Sequence, residues 1–394
     1  MLKCASLYTI ELDNHEEAVA EIKSQLEKKL PLLDYSIGIV MCHTEFVANG
    51  LVNTICKSLP FETVGITSPS QSVNGAIGEQ ILTIFVITSD DIQFKPGLAM
   101  DVREDIYAPS KTAYEKIATT CSELPSPGLV LLFPPFIAKP GDSFVDDWMR
   151  ILPDTPIFGG LAGDDSISLE NSETIYNGAS YKDSLPFLLF YGDIKPRFMF
   201  ATLSQSEDIK AKGVVTKASG TCVNTIDDKI AFDFFSDTDL FKGNIDKNTR
   251  LLLTPIFVDF VKRKDYDGVP VVRGHFGFTE EGDAIFTGAV EDGASISATI
   301  CSPEDVLQTA SKQADLLSSA GNINGLLVFS CLGRRASLMG ENNPTAELKA
   351  IHDIFNPNTE FMMGYVAGEI CPTSIKNGQP TNRFHNFTII MLAI

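Results

Sequence analysis

Two stretches of the chain bend in the same way. PIFGGLAGDD, Pro156 to Asp165, and FMMGYVAGEI, Phe361 to Ile370, each run apolar residues into Gly-x-x-x-Gly and finish on a carboxylate. Glycine permits conformations and close approaches that a Cβ forbids, so a bend made on two glycines, and made twice, limits the folds open to the chain. The two copies lie much further apart than the roughly 20 to 50 residues of a solenoid period. A duplicated domain is the natural cause.

Extending both bends outward exposes a longer unit. Before the first come SKTAYEKIATTCSEL, the apolar GLVLLF and SFVDDWMRIL; before the second come SPEDVLQTASKQADLL, GLLVFS and NPTAELKAIHDIF. Tyr114, Ile117, Cys121 and Leu124 recur at helical steps, as do Phe144, Trp148 and Leu152. Ser143, Ser302 with Pro303, and Asn343 with Pro344 read as helix starts. A weaker third copy opens the chain. Asn14 and Glu17 cap a helix bearing Val19, Ile22, Leu26 and Leu30. SIGIVMC, TEFVANGLVNTICKSL and FETVGITSPS follow, with Gly65 at the first glycine and Pro69 in place of the second. One further strand trails each bend: EQILTIFVI, PFLLFYG and FHNFTIIMLAI. The predicted class is α/β, with strand–helix–strand repeats, parallel crossovers and an antiparallel return strand in mixed sheets. Two domains are expected, 1–195 and 196–394. Between about 195 and 300, VVTKASG, RLLLTPIFVDFV, GVPVVRGHFGF and DAIFTGAV read as short strands and hairpins.

Composition narrows the function classes. The net charge of −20 is spread along the chain and repels phosphate backbones and anionic lipid, so neither nucleic acid nor membrane is an expected partner. No apolar run has the length of a signal peptide or a membrane span. The eight cysteines form no Cys-x-x-Cys pair, which predicts reduced thiols, no zinc and a cytoplasmic location.

GGLAGDD, FSCLGRR at Phe329 to Arg335, GYVAGEI followed by Cys371-Pro372, and FHNFT at Phe384 to Thr388 resemble the FIST sensory proteins, with paired amino- and carboxy-terminal FIST domains. The resemblance covers the chain from about residue 30 to its end. It implies a small-ligand sensor of signal transduction, with amino acids among the ligands and, in some members, haem held by a histidine. It also implies an output through a kinase, cyclase or methyl-accepting domain. With no room foreseen for one here, a separate signalling protein such as a kinase or cyclase is the expected partner. At Ile66 and Pro69 the chain departs from the amino-terminal pattern. Either Gly78-Glu79 supplies the glycine–glutamate pair later, or that copy of the site is lost.

The expected ligand site is a crevice where the end of GLLVFS meets the carboxy-terminal bend, lined by Cys331, Arg334, Gly364, Tyr365, Gly368 and Glu369. Gly159, Gly163 and Asp164 form its counterpart in the earlier copy. Strand ends in α/β sheets open into crevices, glycines admit close approach, and Arg with Glu or Asp offers opposite charges to a zwitterion. The plain alternative is a tight strand exit with a solvated acid. One of Arg334 and Arg335 is assigned to the ligand and the other to a surface ion pair. Two other functions stay open. Cys331 could be the nucleophile of a hydrolase or transferase, against a buried structural thiol. The resemblance also leaves open a haem-based nitric-oxide sensor, in which His385 or His275, each between aromatics, could bind haem iron, against a hydrogen-bonded core histidine. His385 and Phe387 are expected on one face of a strand, and Cys42 and His43 on opposite faces of another. No Walker loop, HExxH or nucleophile elbow is present. The protein is therefore read as a sensor without cofactor and not as an enzyme.

Overall fold

The computed structural model describes residues 1–137, 139–166, 168–203, 211–240, 245–247, 254–263, 266–319, 321, 323–340, 342–357 and 359–394. Three pairs of parallel strands form its frame: Tyr35–Cys42 with Glu62–Thr67, Leu129–Leu132 with Ile157–Gly160, and Leu326–Cys331 with Phe361–Val366. Each pair is bridged by helix and flanked by the antiparallel return strand, respectively Leu82–Ser89, Leu185–Tyr191 and Ile389–Ala393. An outer strand completes each repeat, Leu2–Thr9 and Gln93–Ala99 in the first two and Arg197–Ala201 in the third. All three repeats therefore share one strand order, the opening copy included.

A hairpin follows each bend, and it does not stay in its own repeat. Gln71–Val73 and Ala76–Gly78 join the third repeat's sheet, where Gln71 lies opposite Gly364. Thr174–Tyr176 and Ala179–Tyr181 join the first, with Ile175 opposite Gly65. Glu369–Lys376 and Gln379–His385 join the second, with Ile370 opposite Gly159. The exchange closes on itself. Its turns are Asn74-Gly75, Asn177-Gly178 and Asn377-Gly378. The latter two have both residues at positive φ, as a tight hairpin turn needs. The junction near Lys195 falls between the second repeat's last strand and the third repeat's first, and hydrogen bonds cross it in both directions.

The inner faces of the three sheets meet in one core. Ile39, Met41 and Ile66 come from the first sheet, Leu131 and Phe158 from the second, and Phe329, Met362 and Leu392 from the third. Phe158 and Phe329 stack with ring centroids 5.3 Å apart. Helices cover the outer faces: His15–Lys29 and Leu51–Ser58, then Tyr107–Thr120 and Asp142–Ile151, then Pro303–Ser318 and Ala346–Phe355. Asn14 and Ser302 cap as expected, each accepting from a backbone N–H three residues on. Ser143 and Asn343 do not cap. The helix begins at Asp142, one residue before Ser143, and the last helix starts only after Thr345.

Between 211 and 298 the described strands form an antiparallel sheet inserted into the third repeat. Of the expected RLLLTPIFVDFV strand, Ile256–Asp259 is formed, and residues 250–253 lie outside the described residues. Arg273, fully buried, anchors this sheet: its Nη2 donates to Asp142 Oδ1 at 2.7 Å and its Nη1 to the Phe384 carbonyl at 3.0 Å. Asp142 Oδ2 accepts in turn from the Ala289 N–H at 2.7 Å.

The bend glycines are held by space. A Cβ on Gly159 would lie 2.0 Å from the Leu132 carbonyl oxygen, and one on Gly65 would lie 1.9 Å from that of Val40. Both oxygens belong to the adjacent strand and cannot step aside. Gly159→Ala is therefore expected to destabilise the protein by about 3 kcal/mol in urea unfolding. The exposed Gly340→Ala, whose Cβ meets nothing nearer than 3.8 Å, should change it by no more than about 0.5 kcal/mol. Equal costs at the two positions would show that the bend has room.

Candidate functional site

The strand Leu326–Cys331 passes directly into a helix, Leu332–Met339, with Cys331 as its N-cap residue. Consecutive helical side chains point about 100° apart, and this parts the two arginines. Arg334 is buried beneath Ala346–Phe355, and Arg335 turns into a cavity of about 200 Å³. Cys331, Ala336 and Met339 line one wall of that cavity, Asp164 and Asp165 a second, and Ala367 belongs to the carboxy-terminal bend. Gly274, Phe276 and Thr287 of the inserted sheet close it from above. The cavity thus opens at the carboxyl end of a parallel strand, where α/β sheets place ligands.

A chain of ion pairs running from its wall joins all three repeats. His43 Nε2 lies 2.6 Å from Asp165 Oδ2, Asp165 Oδ1 lies 3.7 Å from Arg335, and Arg335 Nη2 donates to Glu79 Oε1 at 2.6 Å. His43 and Glu79 come from the first repeat, Asp165 from the second and Arg335 from the third. The hydrogen bond to Asp165 holds His43 above its ordinary 6.5, and the same bond holds Asp165 below its ordinary 3.8. Arg335 is 6% exposed, and its Nε has no hydrogen-bond partner among the described residues.

Residues 36–229 match the FIST N domain and residues 239–372 match the FIST C domain. The chain belongs to the FIST family. FIST domains are sensor domains of signal transduction, not catalysts. No curated protein matches the sequence. Among the described residues, no helix is long and apolar enough to cross a membrane. His43, Glu79 and Asp165 lie in the FIST N match and Cys331, Arg335 and Ala367 in the FIST C match, so the cavity is a product of the pair.

The residues expected at the FIST C bend do not gather at one site, because the bend carries the chain from the third sheet into the second. Cys331 lines the cavity. Gly368 and Glu369 sit behind it: a Cβ on Gly368 would strike Phe384 at 2.4 Å, and Glu369 is fully buried. Glu369 Oε2 accepts from the Thr388 hydroxyl at 2.7 Å and from its N–H at 3.2 Å. Burial raises its pKa to about 8, so it is mostly a neutral acid at pH 7. Gly364 packs on Met41, and Tyr365 is fully buried on the helix-covered face. Arg334 shares that face. Its Nε and Nη2 donate to Glu347 Oε1 at 2.9 and 2.6 Å, its Nη2 also donates to the Val306 carbonyl at 2.8 Å, and both side chains are inaccessible to solvent. Arg334, expected at the crevice, is thus held by Glu347 away from it, while Arg335 lines the cavity and pairs with Glu79, because a helix and not a loop follows the strand.

In the earlier copy Gly159 is part of the sheet, and Gly163 lets its bend close on Leu332. Asp164, 4% exposed, accepts from the Ser166 and Asn171 N–H groups at 2.6 and 2.7 Å and so ties down its own loop. The acid with reach to the cavity rim is Asp165, one residue on. His43 is not on a strand; it precedes Thr44–Ala48, and its Nδ1 accepts from the Glu45 N–H at 3.4 Å. Its neighbour Thr44 after an apolar strand was the available signal for a helix start. Phe387 does not share a face with His385. The strand ends at His385, and Phe387 has φ of +54°.

The two alternative chemistries meet physical obstacles. The Cys331 thiol is pushed well above its ordinary range by burial and the neighbouring Glu369, which leaves almost no thiolate. All eight cysteines are free. His385 stacks on Phe200, has Nε2 3.3 Å from the Cys371 carbonyl, and is shifted down to about 3 by burial. His275 is enclosed by Phe278 and Phe286. A haem plane at either would have to displace phenylalanines from the core.

Two outcomes follow for the charges. Arg334→Met strands Glu347 in the interior and is expected to cost about 3 to 5 kcal/mol in urea unfolding; a cost below about 1 kcal/mol would show that Glu347 reaches water. The His43–Asp165 pair has a defined pH window. Asp165's share is present above its ordinary 3.8 and is lost as pH falls through its lower folded value. His43's share is full below 6.5 and is lost as pH rises through its raised folded value. The melting-temperature gap between the native chain and His43→Gln should therefore be widest from about pH 4 to 6.5 and narrow above it. A gap independent of pH would remove the charge pair from the account.

Proposed function

We propose that the protein senses a small zwitterionic ligand, an amino acid, in the cavity between its FIST N and FIST C parts. One observation carries the reading: Arg335 is buried, lines the cavity, and has an Nε that no described residue satisfies. A buried donor left unmade costs about 1 to 3 kcal/mol, and more when charged. A ligand carboxylate there would recover that cost through a charge-assisted bond. Asp165, half-exposed beside Arg335, offers the opposite charge to an ammonium group. The remaining walls are largely apolar and suit a short side chain. At about 200 Å³ the cavity lies below the roughly 300 to 1,000 Å³ that drug-sized ligands require.

The reading needs no cofactor and no covalent step. Binding would draw Arg335 and Asp165 together and so bias the contacts among all three repeats, since His43 and Glu79 are bonded to the same two side chains. The expected setting is the cytoplasm, and the expected receiver is a separate signalling protein such as a kinase or cyclase.

Calorimetry of the native chain against the common amino acids tests this directly. At least one should bind, and Arg335→Met should weaken it by tenfold or more while shifting the melting temperature by only a few degrees. Binding by none of them, or equal binding by Arg335→Met, would overturn the assignment.

A further inference from the structure

A second and larger cleft, of about 540 Å³, lies on the far side of Leu169, Phe276 and Thr287 from the first. Its charge is unlike that of the chain. The protein carries 51 acidic and 31 basic residues, yet three cations, Arg103, Lys139 and Lys182, line this cleft against one acidic residue, Glu170. They reach it from separate segments. Arg103 follows the edge strand Gln93–Ala99, Lys139 precedes the helix Asp142–Ile151, and Lys182 follows the hairpin strand Ala179–Tyr181.

None of the three is neutralised locally. Lys139 Nζ donates to the Glu104 carbonyl at 2.8 Å and Lys182 Nζ to the Glu170 carbonyl at 3.0 Å, both uncharged acceptors. Among the described residues, no carboxylate forms an ion pair with any of the three. Three uncompensated cations around one concavity focus a positive field, and in a chain of net charge −20 such a field is a local exception. The opposite wall is aromatic and aliphatic. Phe136 and Phe276 have ring centroids 6.3 Å apart, and Ile285 and Phe286 adjoin them.

We propose that this cleft is a second binding site, for a small organic anion with a planar apolar group. Its phosphate or carboxylate would lie among Arg103, Lys139 and Lys182, and its ring would lie against Phe136 and Phe276. This rests on the cleft alone and does not require the amino-acid reading. Because Phe276 and Thr287 form walls of both cavities, a ligand here would also bear on the first site.

The probes are adenosine 5′-monophosphate and phenylacetate, with adenosine and inorganic phosphate as partial ligands, all titrated by calorimetry into the native chain. At least one of the two complete probes is expected to bind, tenfold or more tighter than either fragment, and to weaken as salt is raised. Which one binds separates phosphate from carboxylate as the anion. The double variant Arg103→Gln, Lys182→Gln, altered only in exposed side chains, should lower that affinity at least tenfold without moving the melting temperature. Arg335→Met should leave it unchanged, which separates this site from the first cavity. Failure of both complete probes to bind at millimolar concentration would overturn the proposal. So would inorganic phosphate binding as tightly as the nucleotide, or an affinity indifferent to the double variant.

Discussion

The structure depends on the close seat of each bend glycine against its neighbours, backbone on backbone at Gly65 and Gly159 and backbone on side chain at Gly364. Gly65 and Gly159 each face a carbonyl of the adjacent parallel strand at a distance no Cβ could occupy, and Gly364 presses on Met41. At each of these points a hairpin strand from another repeat also pairs, through Ile175, Ile370 and Gln71. The bend is thus where a strand ends, where the chain leaves its own sheet, and where a foreign hairpin is received. Because the three transfers close in a ring, each sheet is incomplete without another repeat. That makes cooperative folding of the α/β frame a consequence of topology as well as of the shared core.

The same geometry builds the cavity. Chain leaving a bend is brought beside the strand end of a neighbouring repeat, so Asp165 meets Arg335 and His43 although all three lie far apart in sequence. The inserted sheet then roofs the opening, held down by the buried Arg273–Asp142 pair. Phe387 accepts a left-handed backbone in this region and lies close against Gly333. Strain of that kind persists only where surrounding contacts over-determine it, and it gathers at sites.

Buried charge is used in two different ways within two consecutive residues. Arg334 and Glu347 satisfy one another inside the core, with the Ser330 hydroxyl donating to Glu347 Oε2 at 2.7 Å. Arg335 is nearly as buried but lies at a cavity wall; each arginine keeps one nitrogen without a partner among the described residues, Nη1 in Arg334 and Nε in Arg335. The first arrangement is costly to break and does nothing for a ligand. The second sets its guanidinium at the wall of a cavity, between carboxylates of two other repeats.

Local pattern was legible without coordinates. Periodic apolar residues located the helices, apolar runs located the parallel strands, and the recurring Gly-x-x-x-Gly exposed the repeat and the family. These features depend on neighbours within a few residues, so sequence carries them. The Asn-Gly pairs at 74, 177 and 377 were also a readable hairpin signal, though nothing local says which sheet a hairpin joins. Partner choice is a long-range matter, decided by which arrangement buries all three inner faces at once. Arg334 and Arg335 make the same point at the site. Both are arginines after a buried strand, and adjacent positions in the sequence look equivalent. Only the helix that begins at Leu332, and the Glu347 carboxylate waiting on one side of it, sends one into the core and the other to the cavity.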